Sequence, residues 1–247
     1  MAPDRRPTPL ATARRAAAAW IVALASMLAG CGAGPGPASL FPLEPGHHWR
    51  YDVRTEWENL VVEHEPREIR TTGQAQVGDA TAWARRSADG VEWYLRADDS
   101  GVYRVATKTD LDAEPRADAQ RRYVLKAPVA VGTQWQASTT AYLLRRRADF
   151  PREIRHSHPD VSMHYVIESL DDVVEVRAGR YEGCVRVRGQ AQLRLFADPV
   201  AGWRDMPLTT TEWYCRGPGL VKLVREEPAG ATFLSGGTLT MELLQWN

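Results

Sequence analysis

Several local signatures of enzymes and of nucleic-acid binding are missing from this sequence of 247 residues. It contains no Gly-x-Ser-x-Gly, Ser-x-x-Lys or His-Glu-x-x-His motif and no glycine-rich phosphate-binding loop. Lysine plus arginine number 31, as do aspartate plus glutamate, so no excess positive charge recruits nucleic acid. We therefore expect no nucleic-acid partner and no cofactor, and we favour a protein that is not an enzyme. The alternative is a hydrolase or a metal-dependent enzyme with a scattered active site.

The N-terminal region lacks an apolar run long enough for a comfortable membrane span. Residues 16–27 are apolar, but a spanning helix needs about 20 such residues. Four arginines precede this run and Leu28-Ala29-Gly30-Cys31 follows it, which is the plan of a secretory signal peptide ending in a sequence that resembles the bacterial lipobox. We predict a lipoprotein signal peptide at residues 1–30 and lipidation of Cys31. The alternative is an ordinary cleaved signal peptide that ends near a cysteine.

The lipobox resemblance implies a diacylglycerol on Cys31 and an amide-linked acyl chain such as palmitate. More than one hydrocarbon anchor gives stable attachment, so the protein is expected to sit on a membrane without spanning it. Residues 31–40 are rich in Gly, Pro, Ala and Ser and are predicted to form a flexible tether. An acidic residue after the cysteine tends to retain such lipoproteins at the inner membrane. Gly32 occupies that position here, which implies the outer membrane, facing the periplasm.

The pattern Pro-x-x-x-Gly-x-x-Trp occurs twice, at residues 42–49 and 128–135. Two further matches follow in the same order, residues 77–86 against 177–188 and residues 92–96 against 212–216. Three collinear matches predict two copies of one unit, at about 42–108 and 128–226, with the extra length of the second copy at 144–160 and 196–207. In each copy the pattern is expected to form the turn before the first strand, with the tryptophan packed on the core.

The chain from residue 41 to residue 247 is predicted to be all-β. Apolar and polar residues alternate with a period of two over residues 185–195, which indicates a strand with one wet face. We expect a curved antiparallel sheet or open barrel built from two duplicated meander units, with TLTMELLQW as its last strand. The alternative is two small β domains joined near residues 109–127. The one helix candidate is Leu111–Arg122, which Pro115 interrupts.

The turn Ala88-Asp89-Gly90 predicts the register of one hairpin, because a three-residue loop that closes on glycine suits a type I turn followed by a left-handed residue. This register pairs four residues of the first copy, Arg85 with Trp93 and Trp83 with Leu95. Carried over to the second copy, it pairs another four, Arg186 with Trp213 and Cys184 with Cys215. Each arginine could then stack on its tryptophan or remain an ordinary solvated side chain.

Cys184 and Cys215 are predicted to form a disulfide for two reasons. If Cys31 carries lipid, these two remain as a pair in an oxidising compartment. The register also places them directly opposite each other on neighbouring strands, close to the separation that a disulfide needs. The alternative is two buried free thiols.

Four features resemble the TapB-like family of secreted bacterial β-rich proteins. They are the lipobox, a PLxxGxxW entry at Pro42–Trp49, an AGxYxxCxxV strand at Ala178–Val187 and a WYxxGxGLVK ending at Trp213–Lys222. The resemblance spans most of residues 41–226. It implies a secreted β-rich lipoprotein and supplies no catalytic residues.

Two polar groups are candidate binding sites. His156, His158 and His164 could share a zinc or copper ion if the segment were a strand, but Pro159 favours a solvated loop, and we predict no metal site. Arg145, Arg146 and Arg147 are expected at a solvated hairpin tip, with phosphate headgroups or an anionic partner as the alternative. The leading expectation is a non-enzymatic lipoprotein that binds a periplasmic partner or a lipid-like ligand on its concave β surface or insertion loops.

Replacing Cys31 with serine is expected to abolish lipidation, because the hydroxyl cannot form the thioether to diacylglycerol. Cells grown with labelled palmitate should label the wild-type chain and leave Cys31→Ser unlabelled. A Cys31→Ser chain that still takes up label and still partitions with membranes would show that the lipid is attached elsewhere.

Overall fold

The computed structural model describes residues 37–146, 160–230 and 233–247. After a short 3₁₀ helix at Pro37–Leu40, these residues form fourteen β-strands and no α-helix. The strands are β1 His48–Trp57, β2 Val62–Val77, β3 Ala80–Ser87, β4 Glu92–Asp98, β5 Gly101–Lys108, β6 Arg116–Lys126, β7 Gln134–Thr139, β8 Arg145–Arg146, β9 Val161–Val176, β10 Gly179–Asp198, β11 Gly202–Cys215, β12 Gly219–Glu227, β13 Leu234–Ser235 and β14 Gly237–Trp246.

Twelve of these strands form one antiparallel sheet in the order β6-β5-β4-β3-β2-β1-β14-β12-β11-β10-β9-β7. The sheet curls until it is nearly closed into a barrel, and one seam between its edge strands β6 and β7 stays unsealed. The two remaining strands, β8 and β13, pair with each other. The predicted all-β class and the open barrel are therefore confirmed.

The two predicted copies form the same meander. Strands β1 to β5 pair in sequence, and so do β7, β9, β10, β11 and β12, with β6 and β14 as the sixth strands. The turns before β1 and β7 also match, because Gly46 and Gly132 have positive φ values of 94° and 87°. In both turns the next residue accepts a backbone hydrogen bond: the amide of Thr71 donates to His47 and that of Ile167 donates to Thr133, each at 3.0 Å.

The repeated tryptophans lie where the pattern placed them, in the core. Trp49 is buried and its indole N–H donates to the carbonyl oxygen of Pro218 at 2.6 Å. Trp135 is also buried and stacks on Tyr165, with 5.5 Å between ring centroids. The motif is thus structural in both copies: glycine allows the tight turn and the aromatic ring begins the core.

Two expectations about the middle of the chain are wrong. Strands of both copies belong to one sheet, so the alternative of two small domains does not hold. The helix candidate Leu111–Arg122 is a turn followed by β6, which begins at Arg116. Pro115 interrupts any helix there. Residues of β6 instead satisfy their backbone hydrogen bonds by pairing with β5, and this pairing outweighs the weak helical pattern of the sequence.

The hairpin register predicted for both copies is confirmed. Arg85 pairs with Trp93 and Trp83 with Leu95 in the first copy, while Arg186 pairs with Trp213 in the second. Two residues beyond that last pair, Cys184 and Cys215 form a disulfide with their Cα atoms 4.3 Å apart.

The cross-strand tryptophans do not stack on these arginines among the described residues. The Arg85 guanidinium lies over the rings of Phe41 and Trp49 instead. Arg186 donates to the carboxylates of Glu168 and Asp172, and Asp172 also accepts the indole N–H of Trp213 at 3.0 Å. The predicted register places each arginine opposite its tryptophan. Arg186 nevertheless binds the carboxylates on β9 and not the ring of Trp213, because charge-assisted hydrogen bonds are stronger than an exposed cation-π contact.

Removing the disulfide is expected to lower the free energy of unfolding by about 3 to 4 kcal/mol, because the bridge closes a loop across 31 residues. Urea denaturation of a Cys184→Ala/Cys215→Ala variant measures the loss. The reference is the wild-type chain, which keeps Cys31 as the double variant does. A double variant as stable as the wild-type chain would show that the bridge adds nothing.

Candidate functional site

The interior of the barrel contains a cavity with two adjoining compartments, which we call the lumen cavity. The outer compartment measures about 1030 Å³ and reaches from Thr55 and Trp57 on β1 to Ser138 and Thr139 on β7. The inner compartment measures about 210 Å³ and is mainly apolar and aromatic. Four side chains line both compartments: Trp93, Arg104, Arg122 and Leu223. The lumen cavity therefore joins a polar entrance to a more apolar interior.

The N-terminal segment forms the floor of the inner compartment. Leu40, Phe41 and Leu43 are buried in the main core cluster, and Phe41 lines the compartment. Leu40, at the end of the predicted tether, is fully buried. The barrel is thus filled at the Trp49 end of β1, while the outer compartment lies at the Trp57 end.

Arg85 holds this segment in place. Its guanidinium carbon lies 4.2 Å from the ring centroids of both Phe41 and Trp49, and the guanidinium donates to the carbonyl oxygen of Pro42. Burial lowers the pKa of Arg85 to about 10, against the opposing influence of Tyr51 and Tyr214. At neutral pH the side chain remains charged, so the aromatic rings and the carbonyl oxygen replace the water that it loses.

Glu227 anchors the loop that borders the outer compartment. Its carboxylate is fully buried and accepts hydrogen bonds from the successive backbone amides of Tyr142, Leu143 and Leu144, the shortest at 2.7 Å. Three successive N–H groups that converge in this way form a concave anion-binding surface. Here a side chain of the protein itself occupies it, so the residues after β7 are tied to the end of β12.

Arg225 completes this buried network on β12. Its Nε donates to Glu227 at 2.7 Å, one terminal nitrogen donates to the carbonyl oxygen of Thr140 at 3.0 Å, and the guanidinium lies over the ring of Tyr142. Both charged side chains have almost no exposed surface. The pair is satisfied by hydrogen bonds on both sides, which is the condition under which a buried ion pair is tolerated.

Glu212 faces the inner compartment from β11. Its side chain is half-buried and lines the inner compartment. The hydroxyl of Tyr214 donates to its carboxylate at 2.5 Å, and Thr210 lies at 3.4 Å. Removal from bulk water raises the pKa of Glu212, against the lowering effects of the Tyr214 hydrogen bond and of the Arg225 and Arg122 charges. Glu212 is therefore closer to protonation near neutral pH than an ordinary glutamate.

Arg104 and Arg122 lie directly opposite each other on β5 and β6 and line both compartments. Asp118 receives two hydrogen bonds from Arg104, through Nε at 2.7 Å and a terminal nitrogen at 2.5 Å. Within residues 37–146, 160–230 and 233–247, neither a hydrogen bond nor an ion pair holds Arg122. Arg122 is thus a half-buried cation of the lumen cavity whose charge only longer-range neighbours balance.

The structure describes only some of the candidate site residues that were predicted from the sequence. Arg145 lines the outer compartment and donates to the carbonyl oxygen of Tyr142 at 3.0 Å, while Arg146 lies in β8. His164 is exposed on β9. Cys31, Arg147, His156 and His158 lie outside the described residues.

In the described part of the chain, no three His, Cys, Asp or Glu side chains are grouped closely enough to hold a metal ion. No helix in the same part of the chain is long and apolar enough to cross a membrane.

Sequence reasoning missed the charged residues of the barrel interior. Arg122 lay in the helix candidate, and Glu212, Arg225 and Glu227 looked like ordinary strand residues. One signal was available. Side chains two residues apart on a strand point to the same face, so Glu212 lies between Thr210 and Tyr214 on the face of β11 that points inward.

Comparisons with known proteins give the chain no family. No family model and no curated protein matches it. Two solved structures are similar: a "putative lipoprotein" from Parabacteroides distasonis ATCC 8503, with 11% identity and a TM-score of 0.38, and a "putative exported protein with YmcC-like fold" from Bacteroides fragilis NCTC 9343, with 12% identity and a TM-score of 0.37. Each likeness covers 84% of this chain and 98% of the other. Identities and TM-scores this low support no inference about this chain. The resemblance to the TapB-like family stays a prediction.

Replacing Glu227 with glutamine is expected to lower the free energy of unfolding by about 3 to 5 kcal/mol, because it leaves Arg225 buried without a counter-charge. Urea denaturation measures the change. The matched control is Glu242→Gln, which breaks a partly exposed ion pair with Lys222 and should cost about 1 kcal/mol or less. Equal losses in the two variants would contradict the anchoring role of Glu227.

Proposed function

We propose that this chain is a lipid-anchored lipoprotein of the outer membrane that binds an amphipathic small molecule in its lumen cavity without catalysing a reaction. The observation that carries the proposal is the joining of a large polar compartment to a smaller apolar one inside one barrel. A ligand with a polar and an apolar end would match both.

The size and lining of the lumen cavity support this function. Small-molecule sites commonly measure about 300 to 1,000 Å³ and combine apolar walls with a few polar groups, and the outer compartment alone, at about 1030 Å³, reaches that size. The inner compartment offers Phe41, Trp93, Leu95 and Leu223 to an apolar group, with Glu212 and Arg122 as polar contacts.

The seam between β6 and β7 supplies a route of entry. Arg122 on β6 and Ser138 on β7 both line the outer compartment, so the cavity extends to the two unpaired edges. A ligand that enters along the seam crosses no backbone hydrogen-bond ladder between strands. Entry then needs side-chain movement and leaves the sheet intact.

The envelope location is proposed from the sequence. Leu28-Ala29-Gly30-Cys31 behind an arginine-flanked apolar run supports lipidation, and Gly32 supports the outer membrane. A periplasmic partner protein, and contact of Arg145, Arg146 and Arg147 with an anionic surface, stay predictions.

The full chain purified from a bacterial envelope is expected to retain a small molecule in native mass spectrometry after release from detergent. Leu223→Trp fills the boundary between the compartments and should remove the adduct. Lys222→Trp introduces the same tryptophan at the neighbouring position. The Lys222 side chain pairs with Glu242 and does not line the cavity, so this variant should leave the adduct in place.

Wild-type protein without any adduct, or an adduct that both variants keep equally, would contradict binding in the lumen cavity. A retained metal ion would instead favour the metal-dependent enzyme that the sequence left as an alternative.

A further inference from the structure

We infer that the ligand of the lumen cavity ends in a carboxylate, which Arg122 binds while protonated Glu212 donates a hydrogen bond to it. This inference rests on the proposed function and names the chemistry of the ligand's polar end.

The charges at the boundary of the two compartments favour an anion. Arg104 and Arg122 face each other directly across β5 and β6, and like charges in such pairs repel. Asp118 neutralises Arg104 through two hydrogen bonds. No carboxylate within ion-pair distance does the same for Arg122 in the described part of the chain. A second anion at this place would complete the pattern, and a planar carboxylate matches the fork of the guanidinium.

Glu212 determines which anions fit. Five groups face its carboxyl: Tyr214 and Thr210 from its own strand β11, Arg225 from β12, Arg122 from β6 and Tyr165 from β9. An ionised Glu212 would repel a bound carboxylate, whereas a protonated one offers an O–H donor. Burial raises the pKa of Glu212, which lowers the cost of the protonation that this contact needs.

The rest of the ligand is apolar. Beyond Arg122 the inner compartment presents Phe41, Leu95, Val124 and Leu220, and it ends at the N-terminal segment that fills the barrel. An alkyl chain there would replace water on aromatic and aliphatic surface, which is favourable in proportion to the area covered. A fatty-acid-like molecule, with an alkyl chain and one carboxylate, combines both requirements.

Binding of this kind takes up a proton. A carboxylate beside Glu212 raises the pKa of that residue further, so the affinity rises as the pH falls. A free carboxylic acid titrates well below this range, so the unbound ligand stays ionised between about pH 6 and pH 8. His64 also lines the outer compartment, so a Glu212→Gln variant is needed to assign the pH dependence to Glu212.

The test measures binding of radiolabelled decanoate and decanol to the full chain in lipid nanodiscs, with protein-free discs subtracted. Arg122→Gln is expected to weaken decanoate binding by about tenfold or more and decanol binding by much less, because the decanol hydroxyl carries no charge. The matched control is the neighbouring Arg121→Gln, whose exposed side chain contacts Asp98 and Ser100 and should change neither affinity. Arg122→Lys, which keeps the charge, should recover part of the decanoate affinity.

Wild-type decanoate affinity should rise by up to about tenfold per pH unit between about pH 8 and pH 6. Glu212→Gln should bind decanoate tightly at every pH in that range. Decanol and decanoate that bind equally well, with no effect of Arg122→Gln, would overturn this inference and leave the proposed function standing. Wild-type protein that binds neither molecule would overturn the proposed function itself.

Discussion

The backbone pairing between β1 and β14 is the contact on which the rest of the structure depends. It joins β1, the first strand of the first copy, to β14, the strand that follows the second copy, through partners that run from Trp49–Trp246 to Trp57–Gly237. Without it, two six-stranded meanders would each leave long unpaired edges, which are prone to associate with other chains. With it, one sheet of twelve strands encloses a single interior.

The equivalent strands at the other edges of the sheet, β6 and β7, are not hydrogen-bonded to each other as neighbours in the sheet. Strand β7 ends at Thr139, because the chain then turns toward Glu227, which binds the amides of residues 142–144. With only six residues, β7 offers a shorter edge than β1, which has ten. The buried carboxylate thus fixes the loop that follows β7, one of the two strands that border the seam.

Charged groups inside the barrel divide into two kinds. Arg85, Arg225 and Glu227 are buried and bound by rings, carbonyl oxygens and amides, so they hold the N-terminal segment and the loop after β7 in place. Arg122 and Glu212 face the cavity instead. Unlike the structural pair on β12, they leave hydrogen-bonding capacity directed at space large enough for a ligand. This contrast separates what stabilises the barrel from what it is proposed to bind.

Local patterns in the sequence sufficed for the all-β class, the hairpin register and the disulfide. The alternation over residues 185–195 and the Gly90 turn each act within a few residues, and the copies allowed a register found in one hairpin to be transferred to the other. The lumen cavity could not be found this way. Whether Arg122 faces inward depends on how far each strand is staggered when the sheet curls, and that stagger is set by contacts between residues far apart in the chain.

Hydrogen–deuterium exchange resolved to individual strands tests the central claim, a barrel sealed at β1–β14 and open at β6–β7. The amides of β1 and β14 should exchange only on global unfolding, because each strand has a hydrogen-bonded neighbour on both sides. Those of β6 and β7, with a neighbour on one side only, should include a set that exchanges orders of magnitude faster. If β6 and β7 are as strongly protected as β1 and β14, the seam is closed and the account is wrong.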